Sequence, residues 1–197
     1  MTPRRHRVSG EARWLLAGYA GLAGFFALEG LLRKPGGASS LKASDDDRGT
    51  TRMIAIVYAL AVYTPLLARW LPMRPLPPAL APAGLLVQAT GLTVRAWSMR
   101  ALGRSYSRTL RTEDDGQAVI DTGPYAFVRH PGYLGSLLTW IGFALTSRSG
   151  SVLALISGLL GGAYSRRIVT EEELLRRDLP GYLTYSQRTS KLIPFVW

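Results

Sequence analysis

The sequence predicts an all-α integral membrane protein with about five transmembrane helices. Hydrophobic residues make up 47% of the 197-residue chain, and they are clustered in blocks rather than spaced periodically. Basic residues flank these blocks, and the segments between them are polar. A helix needs about 20 apolar residues to cross roughly 30 Å of hydrocarbon, and the longer blocks approach that length. The chain has the length of one domain.

Five apolar blocks account for the predicted helices. Residues 14–32, 53–71 and 79–94 are long enough, or nearly so, to span a bilayer. The first follows a basic start but lacks a small-residue cleavage site, so we expect an anchor rather than a cleaved signal peptide. Residues 133–145 and 152–164 each extend only about 20 Å as helices. They form either full spans completed by their flanks or a short helical hairpin.

Polar and small residues inside the blocks predict how the helices pack. Glu29 lies within the first block, where we expect it to snorkel or to pair with a neighbouring helix. The polar side chains of Gln88, Thr90 and Thr93 favour a bundle interior over lipid. In the last block, Gly158-x-x-x-Gly162 permits close packing of helices.

The distribution of charge predicts the orientation. The net charge is +11, and seventeen of the 24 lysines and arginines lie in residues 33–52, 95–132 and 166–197. Because basic residues concentrate on the cytoplasmic side, we expect these segments there, in a multi-pass protein of the cell inner membrane. The basic N-terminus favours the opposite orientation for the first span. The absence of a dense basic run favours an anionic lipid surface over nucleic acid as partner.

Several kinds of chemistry are excluded by composition. The chain has no cysteine, which removes disulfides, thiolate catalysis and cysteine-based metal sites. Its two histidines, His6 and His130, make a histidine-rich metal site unexpected, so no metal is predicted.

Two polar motifs flank the last two blocks. Residues 123–133 read Gly-Pro-Tyr-Ala-Phe-Val-Arg-His-Pro-Gly-Tyr, and residues 166–173 read Arg-Arg-Ile-Val-Thr-Glu-Glu-Glu. A spanning pair and a re-entrant hairpin both make an even number of crossings, so both motifs lie on one face. Charge held against hydrocarbon is costly and therefore usually functional, although topology-setting arginines and a solvated helix face fit the same positions.

In this order and at these separations, the motifs resemble the isoprenylcysteine carboxyl methyltransferase family. The resemblance covers roughly residues 84–197, and the related phospholipid methyltransferases share the C-terminal half. It rests on a helical hairpin together with Tyr125-x-x-x-Arg129-His130-Pro131-x-Tyr133-x-Gly135, Arg-x-x-x-x-Glu-Glu, Tyr182-x-x-Tyr185 and Ile193-Pro194-x-x-Trp197.

What the resemblance implies is an S-adenosylmethionine-dependent membrane enzyme whose active site faces the cytoplasm. Residues 1–197 would form one membrane domain, with N-terminal spans in residues 14–98. The cofactor-binding and catalytic portion would occupy residues 99–197, including the helical hairpin 133–165 and the tail 166–197.

The resemblance also implies roles for individual residues. Arg167 would orient the substrate carboxylate, Glu172 would help to set the geometry of that site, and Glu171 would lie nearer the cofactor. Arg166 and Glu171 have the same spacing, so the register stays open by one residue. Gln117 stands where the eukaryotic enzymes usually have a histidine. The predicted cofactor pocket consists of Gln117, Ala118, Val119, Ile120, Tyr125, His130, Pro131, Tyr133 and Glu171.

The methyl acceptor is expected to be a prenylcysteine-like or other lipophilic acid that enters from the bilayer. A carboxylate needs no general base, so catalysis reduces to positioning and electrostatics. An amine acceptor, as in the phospholipid methyltransferases, would lose a proton, and Glu172 would be the natural base. A reductase-like or structural membrane protein is the remaining alternative, although no Gly-x-Gly-x-x-Gly precedes a predicted helix. The oligomeric state is not predicted.

Overall fold

A computed structural model of the chain describes residues 4–32, 47–67, 70, 75–103 and 119–193. The described part contains no β-strand, only two isolated β-bridges. The predicted all-α fold class is therefore confirmed. In chain order, the described residues form α1 (Arg4–Leu31), α2 (Thr50–Leu67), α3 (Leu80–Leu102), a 3₁₀ turn (Gly123–Ala126), α4 (Pro131–Thr146), α5 (Gly150–Asp178) and α6 (Tyr182–Arg188).

Three of these helices are long and apolar enough to cross a membrane. They are α1 over Ala12–Leu31, α2 over Thr50–Leu67 and α5 over Gly150–Asp178. Helix α4 has 16 residues and so extends about 24 Å, less than the thickness of the hydrocarbon. The five apolar blocks thus all correspond to helices, while the number of crossings stays a prediction.

Helix α5 is longer than the apolar block that predicts it. It begins after Ser149, whose hydroxyl accepts the Val152 N–H at 3.4 Å, and runs without interruption to Asp178. It ends just before the sequence Leu179-Pro180-Gly181, where Gly181 adopts a φ of 82°. Such a left-handed conformation costs glycine little. The charged motif at residues 166–173 is therefore part of one continuous helix with the apolar block.

Glycines let α3 and α4 approach each other closely. A Cβ added to Gly91 would lie 2.4 Å from the Thr139 backbone nitrogen, and one on Gly142 would lie 2.4 Å from that of Gln88. Such distances leave no room for a methyl group. The glycines at this contact are spaced by seven residues in each helix, which puts each pair on one face: Gly84 and Gly91 in α3, and Gly135 and Gly142 in α4.

The close packing that Gly158-x-x-x-Gly162 permits is not observed within the described part of the chain. Both glycines are exposed on α5, and a Cβ on either would meet no described atom within 4 Å. The spacing puts the two glycines on one face, but that face points away from the other helices.

The polar residues of α3 divide between the two sides of the helix. Gln88 is buried, as predicted, and its Nε2 donates to the Gly18 carbonyl of α1 at 3.0 Å. The interior placement predicted for Thr90 and Thr93 is wrong, because both are exposed. Their hydroxyls donate at 2.9 Å to carbonyls four residues earlier in the same helix. A threonine can satisfy its hydroxyl in this way without a neighbouring helix.

Glu29 pairs with a neighbouring helix rather than snorkelling, and pairing is one of the two arrangements that the sequence predicts. Its Oε1 accepts from the Arg95 Nε of α3 at 2.7 Å, and Glu29 is only 7% exposed. This buried ion pair and the Gln88 bond both fasten α1 to α3.

The apolar core lies mainly between α4 and α5, with α1 and α2 packed against it. Trp140 is fully buried at its centre and stacks on Tyr58 of α2, with 4.9 Å between the ring centroids. The cluster includes Leu22, Val57, Ala61, Trp140, Phe143, Val152, Ile156 and Leu160.

Candidate active site

Three segments bring polar side chains together at the C-terminal half of α5. They are the turn before α4, residues 166–173 of α5, and the turn that precedes α2. His130 is the residue before α4, and Pro131 occupies the first helical turn, where a missing N–H costs nothing. The N–H groups of Arg129 and His130 donate to the carbonyls of Ser190 at 2.9 Å and Lys191 at 3.0 Å. The tail after α6 therefore holds this turn.

Arg167 is at the centre of the first cluster. It is only 3% exposed, whereas Arg166 is exposed. Its Nε donates to the Tyr133 hydroxyl at 3.0 Å, and that hydroxyl donates to Glu171 Oε2 at 2.6 Å. The guanidinium and one carboxylate of α5 are thus joined through a tyrosine of α4.

The other side of Arg167 meets the turn before α2. Its Nη1 donates to the hydroxyls of Thr50 at 2.7 Å and Thr51 at 2.8 Å, and it forms a salt bridge with the Asp47 carboxylate. Asp47 also accepts the Thr51 N–H at 3.0 Å and the Thr51 hydroxyl at 2.7 Å. Burial acts to raise the pKa of Asp47, but these hydrogen bonds and the Arg167 charge hold it below its ordinary value.

Glu172 is the centre of a second cluster, which is rich in positive charge. Its Oε1 lies 2.8 Å from Arg129 Nε and 3.4 Å from His130 Nε2. Its Oε2 lies 3.1 Å from Arg176 Nη2 and 3.8 Å from Lys191 Nζ. Glu172 is 3% exposed, and the Arg129 side chain beside it is also buried, so this carboxylate compensates a cation inside the fold.

Arg129 connects this second cluster to the tail. Besides Glu172, it donates to the Ser186 carbonyl at 2.8 Å and to the Thr189 carbonyl. His130 lies between the two clusters, since its Nδ1 is 4.0 Å from Glu171 Oε2 while its Nε2 faces Glu172.

The geometry of an α-helix explains why the adjacent carboxylates belong to different clusters. Glu171 follows Arg167 by four residues and therefore lies on the same face of α5. Glu172 follows it by five residues, which is about 140° around the helix from Arg167. The buried arginine of the motif is thus Arg167, and the carboxylate joined to it through Tyr133 is Glu171. The predicted catalytic roles of Arg167 and Glu172 stay predictions.

Aromatic rings pack beside these charges. Tyr133 stacks on His130 with 5.7 Å between centroids, and on Tyr164 with 5.3 Å. Tyr125, which the sequence analysis assigned to the cofactor pocket, is buried, and its carbonyl accepts from the Tyr185 hydroxyl at 2.7 Å. The turn before α4 and helix α6 therefore form one wall.

A buried hydroxyl in this wall has no partner within the described residues. Tyr182 of α6 is 3% exposed, and its oxygen makes no hydrogen bond there. Burial is the largest cause that raises the pKa of Tyr182 above its ordinary value, and the negative charges of Glu172 and Glu171 raise this pKa further. The hydroxyl therefore stays protonated. An unpaired buried donor is costly, and an acceptor on a bound ligand would satisfy it.

The remaining predicted pocket residues are only partly described. Val119 and Ile120 are half-buried, and a Cβ on Gly181 would lie 3.9 Å from Val119 Cγ2. Gln117 and Ala118 lie outside the described residues.

Sequence reasoning missed the contributions of Asp47 and Arg129. An aspartate shortly before Thr50 and Thr51, at the start of an apolar run, is a helix-start signal. Nothing in that signal indicates which distant side chain the aspartate will meet. Arg129 was recognised as part of a motif, but its partners come from residues about 40 to 60 positions away.

The fold and site together define a class of protein: a helical protein with three helices long and apolar enough to span a membrane, and with a buried arginine–carboxylate–tyrosine cluster on the longest helix of the described residues. The particular family follows from comparison with known proteins. The model of the isoprenylcysteine carboxyl methyltransferase (ICMT) family matches residues 84–177 of this chain, which are called the family segment below. The predicted resemblance is therefore confirmed.

Two individual relatives illustrate what the chain is similar to. Protein-S-isoprenylcysteine O-methyltransferase of Saccharomyces cerevisiae is 30% identical over 115 residues, which are 57% of this chain and 48% of the yeast protein. The nickel-cobalt-cadmium resistance protein NccN of Alcaligenes xylosoxydans xylosoxydans is 26% identical over 97 residues, 49% of this chain and 46% of that protein. The chain thus spans about half the length of these relatives.

A solved structure matches the fold. It is that of the eukaryotic intramembrane Ras methyltransferase ICMT, with a TM-score of 0.57 and 21% sequence identity. The match covers 74% of this chain and 53% of the solved one, so the similarity extends beyond the family segment.

Proposed function

We propose that the chain is an integral membrane methyltransferase that uses S-adenosylmethionine to esterify the carboxylate of a prenylcysteine-like or other lipophilic acid. The observation that carries this proposal is the buried Arg167, joined through the Tyr133 hydroxyl to Glu171 beside the His130–Pro131 turn. All these residues lie within the segment matched by the family model.

The acceptor end of the site is assigned to Arg167. Its planar guanidinium is permanently charged and suits a carboxylate, as its salt bridge with Asp47 illustrates. The lipophilic part of the acceptor enters from the bilayer between the helices. Once bound, the acid is aligned by Arg167. The surrounding apolar helices exclude water from its carboxylate, which makes the carboxylate oxygen more reactive.

The residues present suit the proposed cofactor. The Tyr182 hydroxyl is a buried donor that needs an acceptor, and Glu171 offers a carboxylate to a positively charged ligand. The cofactor pocket would comprise the Tyr125–Tyr133 turn, Tyr182 and the predicted residues 117–120. When bound, S-adenosylmethionine supplies an electrophilic methyl group. The aromatic rings beside Glu171 suit a sulfonium cation.

Glu172 is better suited to holding the pocket than to accepting a proton. The cationic side chains of Arg129, Arg176 and Lys191 approach its carboxylate. Positive neighbours favour the ionised form of a carboxylate and so weaken it as a base. An amine acceptor would need such a base, so this environment favours an acid over an amine.

The orientation follows from the charge distribution. The segments that form the site contain most of the lysines and arginines, which supports a cytoplasmic site in an inner-membrane protein. The proposed partners are the lipophilic acceptor and membrane lipid.

Calorimetry with S-adenosylmethionine and the purified protein in detergent tests the first half of the proposal. We expect saturable binding, and we expect His130→Ala to weaken it because His130 lies between the two clusters. No measurable binding by the unaltered protein would favour a structural or reductase-like protein and contradict the proposal.

A transfer assay tests the second half. With methyl-labelled cofactor, we expect label in base-labile esters of prenylcysteines or other prenylated acids. Label in aminophospholipids instead would replace the acid by an amine as the acceptor.

A further inference from the structure

The turn before α2 touches the proposed acceptor arginine, although it lies outside the family segment. Asp47 is completely buried, and its carboxylate forms a salt bridge with Arg167 Nη1. We infer that Asp47 is a positioning residue for Arg167 and that it sets how the acceptor acid is held. This inference rests on the proposed function.

The surroundings of Asp47 indicate that its carboxylate is fixed. It accepts the backbone N–H of Thr51 at 3.0 Å and the hydroxyls of Thr51 at 2.7 Å and Thr50 at 3.1 Å. The N–H bond satisfies one of the backbone donors that a helix leaves unpaired at its start. Moving the carboxylate away would break these bonds as well as the salt bridge. We therefore do not expect an incoming acceptor acid to displace the Asp47 carboxylate from Arg167.

The contacts of Asp47 determine the orientation of the guanidinium. Nη1 is held by the α2 turn, and Nε is held by Tyr133 at 3.0 Å. The side chain also holds the planar group through its in-plane Cδ, so holding these two nitrogens restricts the orientation of its plane. An acceptor carboxylate then binds to a guanidinium whose orientation is already set. Small errors in such an alignment can lower the reaction rate strongly.

The same contact affects charge. Asp47 offsets the positive charge of Arg167, so the arginine attracts an anionic acceptor less strongly than an unpaired arginine would. Removing only the charge of Asp47 should therefore raise the affinity for the acceptor acid while lowering kcat. A purely structural contact has no reason to produce that pattern.

The exposed neighbour of Asp47 is a matched control. Arg48 pairs with Glu173 at 2.7 Å, with 64% and 53% of the two side chains exposed. This ion pair connects the same turn to the same helix, but it does not involve Arg167. Arg48→Gln therefore removes a contact between the turn before α2 and helix α5 without altering Arg167.

The experiment measures kcat and KM for a prenylated acid, with calorimetry of S-adenosylmethionine as a check of folding. For Asp47→Asn, we expect KM to fall a few-fold and kcat to fall about 10-fold. For Asp47→Ala, kcat should fall about 100-fold, since the acceptor of all these bonds is lost. Cofactor affinity should stay within about two-fold in both variants, and Arg48→Gln should retain kcat.

Three results overturn the inference while leaving the proposed function intact. They are an unchanged kcat in Asp47→Asn and Asp47→Ala, a raised kcat in Asp47→Ala, and an equal loss of kcat in Arg48→Gln. Absence of methyl transfer by the unaltered protein to every acid tested would instead refute the proposed function, and the inference with it.

Discussion

At the scale of residues, two adjacent carboxylates of α5 differ in their surroundings. Glu171 is half-buried and accepts from the Tyr133 hydroxyl at 2.6 Å. Glu172 is buried and compensates the Arg129 guanidinium, whose side chain is only 6% exposed. Successive residues of an α-helix are rotated by about 100°. This rotation places Glu171 in the proposed site and Glu172 in a buried ion pair that stabilises the fold.

Glu172→Gln tests this structural assignment. The substitution leaves the buried Arg129 without its compensating charge, so we expect the free energy of unfolding to fall by about 3 kcal/mol. Unfolding in mixed micelles with increasing sodium dodecyl sulfate measures the change. Glu173→Gln is the matched control, because its exposed pair with Arg48 should contribute less than about 1 kcal/mol. Equal effects of the two substitutions would refute the assignment.

At this scale the sequence predicts which residues belong to the candidate site better than it predicts which side chains they contact. It selected Arg167, His130 and Tyr133, which the structure brings into one region. It could not distinguish the environments of Glu171 and Glu172, since both follow an arginine by the same spacing. It missed Asp47 because a contact between residues 120 positions apart depends on how α2 docks against α5.

At the scale of elements, the contact between α3 and α4 is the most constrained part of the fold. A side chain on any of its four glycines would meet backbone atoms, which cannot move aside as a flexible side chain does. The close approach also fixes the start of α4, and hence the position of Tyr133. Helix packing and the geometry of the site are thus directly linked.

Gly91→Ala measures this constraint. The added methyl group would lie 2.4 Å from the Thr139 nitrogen, so we expect a loss of about 1–3 kcal/mol in unfolding free energy. Gly158→Ala is the control on α5, where the methyl group meets no described atom. There, the better helix propensity of alanine should make the change neutral or stabilising by up to about 1 kcal/mol. A Gly91→Ala variant as stable as Gly158→Ala would rule out the close contact.

The apolar blocks predicted the positions of all five long helices but not all their ends. Hydrophobicity marks the part of a helix that faces lipid or core, so it ended the prediction for α5 at residue 164. The helix continues to Asp178 because charged residues with good helix propensity follow without a breaker until Pro180. The close glycine contact lies between α3 and α4 rather than at the Gly158-x-x-x-Gly162 spacing of α5, because spacing alone does not identify which face has a partner.

At the scale of the whole molecule, the N-terminal half contributes the turn before α2 to a candidate site whose recognisable motifs lie in the C-terminal half. The family segment begins at residue 84, yet the turn before α2 contacts Arg167, and Glu29 of α1 pairs with Arg95 of α3. Helices α1 and α2, or the turns beside them, therefore contact charged residues of the C-terminal half. Because the solved ICMT structure covers 74% of the chain, the shared fold also extends beyond the family segment.

The central claim is that the buried arginine of the motif, and not its exposed neighbour, holds the methyl acceptor. The most direct test is the rate of methyl transfer to a prenylated acid by Arg167→Ala and Arg166→Ala, with S-adenosylmethionine affinity measured in parallel. We expect Arg167→Ala to lower kcat by at least about 100-fold with cofactor affinity largely unchanged, and Arg166→Ala to remain active. Full activity of Arg167→Ala, or an equal collapse of its cofactor affinity, would contradict the account.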